Sequence, residues 1–186
     1  SVKEEHYKDL SAFYVDFDHY HSTHSSENED LSQFIYEKAQ EKGVIAKRDI
    51  EQFYDEKEGI FLADRYIKGI CPKCGAEDQY GDHCEVCGKT YAIRELKQPK
   101  SIMSDTPPIW KKTTHDFFQL STQQALVSDW LAQVDMQESV RNKLGEWFED
   151  GLQDWDITRD EPYFGIGIPN QPGKYFYVWL DAPVGY

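Results

Sequence analysis

Apolar positions along this chain recur with two different periods, and the switches between them mark out the elements. Val2 to Ala12 reads as the end of a helix, and Tyr14-Val15-Asp16-Phe17-Asp18 alternates apolar with polar, as a strand does. Leu31, Phe34, Ile35 and Ala39 fall at i, i+3, i+4 and i+8, which predicts a helix whose stripe packs into a core. Ser25 or Ser26 caps its start, acidic Glu27, Glu29 and Asp30 lie near its positive end, and Gly43 closes it. Residues 45–62 read as β-structure around a turn at Asp55-Glu56-Lys57-Glu58-Gly59. Residues 100–103 and 109–120 read as further short strands, broken by Pro107-Pro108.

Two helices are then predicted. Ser121-Thr122-Gln123-Gln124 offers a capping box; Ala125, Leu126, Trp130 and Leu131 form one stripe for burial, and Val140, Leu144, Trp147 and Phe148 a second, ended by Gly151. Further on, residues 163–168 and 174–180 are placed to pair across Pro169-Asn170-Gln171-Pro172-Gly173. The run Tyr175-Phe176-Tyr177-Val178-Trp179-Leu180 is almost wholly apolar, which predicts a strand buried on both faces, as in a parallel or mixed sheet. Ligands of open α/β sheets bind beyond the carboxyl ends of such strands, where Trp179, Asp181 and Tyr186 stand.

Composition narrows the class. With 186 residues, 39% hydrophobic and 15% aromatic, the chain can build a core and is not a disordered segment. No apolar run approaches the length of a membrane span and no signal-peptide pattern opens the chain, so a cytoplasmic setting and no membrane partner are expected. The net charge of −14 argues against strong nucleic-acid binding by this chain alone. That charge is uneven: residues 61–100 hold seven Lys/Arg against six Asp/Glu, whereas residues 1–30 hold two against eight. The chain has no initiator Met and stops just after its most apolar run, which suggests an excised fragment.

All four cysteines lie in Cys71-Pro72-Lys73-Cys74-Gly75 and Cys84-Glu85-Val86-Cys87-Gly88. Two C-x-x-C pairs nine residues apart can each supply two soft ligands from a tight turn, so one structural Zn²⁺ on Cys71, Cys74, Cys84 and Cys87 is expected. Two disulfides fit poorly with four cysteines packed into so short a stretch, and a redox pair would need only one C-x-x-C; an iron–sulfur cluster shares the ligand type. A filled Cys₄ site has no open position and so is not catalytic. His83 is expected to face solvent. A second concentration of polar groups, Tyr20-His21-Ser22-Thr23-His24-Ser25, reads either as a loop before a helix cap or as a site.

Those residues, the C-x-x-C-x9-C-x-x-C spacing, Gln79-Tyr80-Gly81-Asp82, Trp155-Asp156-Ile157-Thr158-Arg159-Asp160 and the stretch from Tyr175 to Tyr186 together resemble the methionyl-tRNA synthetases, a family of class I aminoacyl-tRNA synthetases. The resemblance covers essentially the whole chain and is most specific in its last stretch. It implies an α/β chain made of parts of a split Rossmann-type catalytic fold with an inserted mixed α+β zinc-knuckle subdomain. Residues 1–25 would end the first Rossmann half. Residues 26–152 would be the connective insertion, with its knuckle at 71–88, and residues 153–186 would begin the second half.

It also implies activation of methionine with ATP and Mg²⁺ and transfer to tRNA. By resemblance Trp179, Ala182, Pro183 and Tyr186 line the methionine side chain, which suits a polarizable thioether gripped by rings. Arg159 would lie in the active-site cleft, where it can meet phosphate charge, or else pair with Asp156 or Asp160. His21 and His24 would border the same cleft. The HIGH-type and KMSKS-type motifs of class I catalysis do not occur in these 186 residues, so the chain alone is expected to be inactive. One alternative is an independent zinc-knuckle adaptor. Residues 71–91 carry Lys73 and Lys89 against Glu77, Asp78, Asp82 and Glu85, a poor footprint for RNA. A synthetase for a branched aliphatic amino acid is a further alternative, but its editing insertion would be larger than the roughly 130 residues here, a length within the usual range of a single domain.

Overall fold

The computed structural model describes residues 1–185. Helix α1 (Val2–Ala12) is exposed throughout. The predicted strand at residues 14–18 does not form. Phe13 and Tyr14 lie open to solvent, Tyr14 takes φ 62°, and the N–H groups of Tyr14 and Val15 turn back to the Ser11 and Leu10 carbonyls of α1 instead of joining a sheet.

Helix α2 (Ser26–Glu41) starts where expected: the Ser25 side chain accepts from the Asn28 N–H at 3.3 Å. It ends at Gly43, whose φ of +69° lets its N–H reach the Gln40 carbonyl while the Val44 N–H reaches Ala39. The buried face is not the predicted one. Asn28, Ser32 and Tyr36 point inward, while Leu31, Phe34 and Ile35 are exposed. Both faces repeat every three to four residues, and the choice was made by long-range partners: Tyr36 finds a buried carboxylate on its side and packs on Phe176.

Strand β1 (Ile45–Asp55) turns into β2 (Ile60–Phe61). A 3-10 turn, Asp64–Tyr66, then leads to β3 (Ile67–Ile70) and β4 (Gln79–Tyr80), and a second, Ile93–Glu95, to β5 (Lys97–Ser101) and the long β6 (Ile109–Phe118). The ladder between β1 and β6 is antiparallel and runs from Ile45↔Phe118 to Tyr54↔Ile109, ten pairs spanning about 30 Å. In the larger sheet β1 stands between β2 and β6, and residues 155–156 pair with the other edge of β6; β4-β3-β5 form a second small sheet.

Helices α3 (Gln124–Leu131) and α4 (Glu138–Asp150) lie where periodicity predicts them. No capping box forms: the Ser121 hydroxyl donates instead to Asp154 at 2.5 Å. Nor are the stripes buried. Leu126, Trp130, Val140 and Trp147 are all exposed, because no described element covers them.

The last segment holds β7 (Trp155–Asp156), β8 (Thr158–Asp160), β9 (Lys174–Phe176) and α5 (Val178–Val184). The predicted pairing across residues 169–173 is present at its inner end, where the Phe176 N–H reaches Ile166 O and the Ile168 N–H reaches Lys174 O. The predicted long strand is corrected: it stops at Phe176, and Trp179 and Leu180 are helical. A short apolar run suits a strand or a helix equally, and Tyr177 supplies an extended N-cap.

The fold is thus mixed α/β with small, open sheets, and it has two cores. One gathers Phe53, Leu62, Ile67, Cys71, Cys84, Tyr91 and Leu96. The other gathers Tyr36, Ile157, Ile166, Ile168 and Phe176, with Ile45, Phe118, Trp155 and Leu180 against it. The β1–β6 ladder reaches from the first, at Phe53, to the second, at Ile45 and Phe118.

Candidate metal centre and substrate cleft

Two copies of one turn build the metal centre. Gly75 N–H reaches Cys71 O and Gly88 N–H reaches Cys84 O, with positive φ at both glycines. Cys71 N–H bonds Ala76 O and Cys84 N–H bonds Lys89 O, closing each turn. Amides then face sulfur: Lys73 and Cys74 N–H lie 3.4 and 3.5 Å from Cys71 Sγ, and Cys87 N–H lies 3.4 Å from Cys84 Sγ. Tyr91 ties the second turn down, its hydroxyl shared between the carbonyls of Tyr80 and His83.

All four sulfurs lie within 4.8 Å of one another. Cys74 and Cys84 approach to 3.6 Å and Cys71 and Cys87 to 4.0 Å, and all four cysteines are free. Zn–S bonds of about 2.3 Å set at the tetrahedral angle give sulfur–sulfur edges of roughly 3.8 Å, so the donor set fits Zn²⁺. The protonation chemistry agrees. Burial opposes charge on Cys71, yet the Cys74 and Lys73 amides pull its pKa down to about 6. Against the Ala76 N–H, burial and the neighbouring sulfurs push Cys74 up to about 12. One thiolate is welcome and a second is resisted until a cation arrives. His83 faces solvent, bonded to Asp82 at 2.6 Å, and is outside the set.

Residues 20–25, expected to border a substrate cleft, meet α5. The Asn28 side chain, buried in the first turn of α2, donates to Thr23 O at 2.9 Å and to Asp181 O at 3.3 Å. Gly185 completes the contact, since a Cβ there would come within 2.9 Å of Thr23 Cγ2. Trp179 is 62% exposed on α5, Ala182 is half-buried and Pro183 exposed, so Trp179 is not a core residue. Tyr186 lies outside the described residues. The His24 and Phe164 rings meet at a tilt with centroids 5.1 Å apart, and His21 Nε2 lies 3.7 Å from Glu27; both histidines are exposed.

Arg159 reaches the start of α5. Its guanidinium lies 3.7 Å from the centre of the Tyr177 ring, and Nη1 donates to Thr158 O at 2.5 Å. Asp156 stands 3.7 Å away, while Asp160 turns to other partners. No hydrogen bond or ion pair among the described residues joins Arg159 to His21 or His24.

Three residues that the sequence reading passed over matter here. Asn28 pins α5 to the histidine loop. Tyr177 carries Arg159. His115 is buried between Asp156 and Asp160. Local spacing marks none of these contacts: Asn28 and Asp181 stand 153 residues apart, His115 and Asp156 stand 41 apart, and Arg159 meets Tyr177 from another element. The residues of β6 do not alternate, and His115 and Asp116 are both buried side by side, so the strand's own pattern did not single out His115.

A model of the family described as tRNA synthetases class I (M) matches residues 1–186, and the chain belongs to that family. The particular relatives point the same way. Two structures of Mycobacterium tuberculosis methionyl-tRNA synthetase with methionyl-adenylate match with TM-score 0.63 and 20% identity, over 98% of this chain and 32% of theirs. The apo form of that enzyme matches with TM-score 0.60 at the same identity and coverage. The chain therefore shares their fold and spans about a third of the length of the structures it matches.

Proposed function

We propose that this chain is the connective part of a methionine–tRNA ligase, which activates methionine with ATP and Mg²⁺ and passes it to tRNA. The observation that carries this reading is the family match along all 186 residues. Methionyl-adenylate in the relative of like fold supports methionine and ATP as ligands. Residues 1–25 end the first Rossmann half, residues 26–152 are the insertion, and residues 153–186 open the second half.

In this reading Cys71, Cys74, Cys84 and Cys87 hold one structural Zn²⁺, which suits a reducing cytoplasm. Trp179, Ala182, Pro183 and Tyr186 line the thioether pocket; the exposure of Trp179 and the contact of α5 with residues 20–25 support that placement. Arg159 meets the phosphates of ATP, and His21 and His24 border the cleft. No helix of the described residues is long and apolar enough to cross a membrane.

ATP–pyrophosphate exchange tests the reading. In the complete synthetase, Trp179→Ala raises the methionine KM at least tenfold, the loss of about 1.4 kcal/mol or more of ring contact. The 186-residue chain alone shows no exchange. Measurable turnover by that chain, or an unchanged methionine KM, removes the assignment.

A further inference from the structure

Arg159 pairs only loosely with the carboxylate beside it. A guanidinium this near a carboxylate ordinarily closes to a bidentate pair at about 2.8 Å, yet Asp156 remains 3.7 Å away. Both oxygens of Asp156 are engaged elsewhere, at 2.8 and 3.0 Å from His115 Nδ1, and one also accepts from the Thr158 N–H. The other ring nitrogen, Nε2, lies 2.9 Å from Asp160 Oδ2. A neutral imidazole offers one donor and one acceptor, and an ionised carboxylate brings no proton. Both contacts are hydrogen bonds only when the ring is imidazolium. The His115 side chain is fully buried, so water cannot substitute for either acid.

We propose that His115 is a positioning residue for Arg159: as a buried imidazolium it occupies Asp156, so that the guanidinium stays on the Tyr177 ring, open to the phosphates of a nucleotide. This rests on the reading of Arg159 given above. Without a charge on His115, the oxygens of Asp156 turn to the nearest cation, Arg159, and an incoming phosphate must then break a closed ion pair.

The surrounding charges single out Asp156 as the balance point. Asp160 is also held by Lys174 and by the Thr113 hydroxyl. Arg48, opposite His115 across the β1–β6 ladder, pairs with Asp154 and lies over the Phe117 ring. Burial alone would favour a neutral His115; Asp156 and Asp160 outweigh it and raise its pKa above the ordinary value.

The test uses ATP–pyrophosphate exchange in the complete synthetase. His115→Gln raises the ATP KM about tenfold, the value of one charge-assisted contact, while the methionine KM stays within about twofold on the same scale. Adding Asp156→Asn, which removes the captor, restores the ATP KM. An unchanged ATP KM, a parallel rise in both KM values, or no rescue overturns the proposal. Should His115→Gln fail to fold, Asp156→Asn alone decides: the ATP KM stays level or falls, and a rise overturns the proposal. ¹⁵N spectra of the 186-residue chain provide a readout independent of activity. Both His115 ring nitrogens carry protons at neutral pH, and a neutral tautomer there refutes the idea. Arg159→Ala separates the two levels. If it leaves ATP kinetics intact, the reading of Arg159 fails; if it impairs them and His115→Gln does not, only the present inference fails.

Discussion

Single side chains here are stabilised by partners far away in sequence. The Tyr36 hydroxyl donates to Asp116 at 2.5 Å and accepts from Gln40 and Gln171, inside a core where its ring packs on Phe176. Tyr36→Phe keeps the ring and leaves buried Asp116 one donor short. We expect a loss of about 1–3 kcal/mol in urea unfolding; no loss would mean that Lys47 and Gln171 satisfy Asp116 by themselves. One turn before Tyr36, Ser32 gives the opposite case. Its buried hydroxyl has no partner among the described residues, so Ser32→Ala should be neutral or stabilising by up to about 1 kcal/mol, and clear destabilisation would reveal a partner such as a trapped water. At this scale the sequence was legible where chemistry is local. Four cysteines inside two tight turns announce themselves by spacing. Tyr36 with Asp116, 80 residues apart, and His115 with Asp160, 45 apart, carry no such mark.

Between elements, β6 does most of the joining. Adjacent residues of a strand face opposite sides, so His115 meets Asp156 and Asp160 on one side while Asp116 meets Tyr36, Lys47 and Gln171 on the other. These networks set the pH response. Burial would raise Asp116 and Asp160, but Lys47, Tyr36 and Gln171 on the one, and His115, Lys174 and Thr113 on the other, depress both. Their contribution is complete above the ordinary carboxylate value, about 3.9, and is lost as pH falls through the depressed native values. His115 runs the other way. Its contribution is present below about 6.5 and is lost as pH rises through its raised native value. Denaturation midpoints should therefore fall at both ends, with His115→Gln flattening the alkaline limb and, by taking one partner from Asp160, weakening the acid limb as well; an unaltered alkaline limb would exclude the imidazolium. Periodicity found α2, α3 and α4 but not the face each buries. Leu31, Phe34, Trp130 and Trp147 stay exposed because a face is buried by whatever packs against it, which the helix's own sequence does not state. The run from Tyr175 to Leu180 failed as a strand for a related reason: without alternation, only length separates the two states.

For the molecule as a whole, the two cores share no residue, and the ladder of β1 and β6 is what connects them. Metal and cleft are thus mechanically linked yet thermodynamically separable. Cys71 and Cys84 belong to the first core themselves, so removing a bound Zn²⁺ leaves a small apolar cluster without its centre. Structural zinc contributes on the order of 10 kcal/mol to the folding of small free domains, far more than the few buried side chains around Tyr91 can replace. The second core depends instead on Tyr36, Ile157 and Phe176, and on buried networks that contain no cysteine. Chelation of the 186-residue chain should release about one Zn²⁺ and abolish hydrogen-exchange protection in β3, β4 and the two cysteine turns. The amides of Ile157 and Phe176, bonded to Asp116 O and Ile166 O, should stay protected. Cys84→Ala should reproduce the pattern without chelator. Loss of protection in both cores at once would instead make the ladder a rigid transmitter, with knuckle and cleft folding as a single unit.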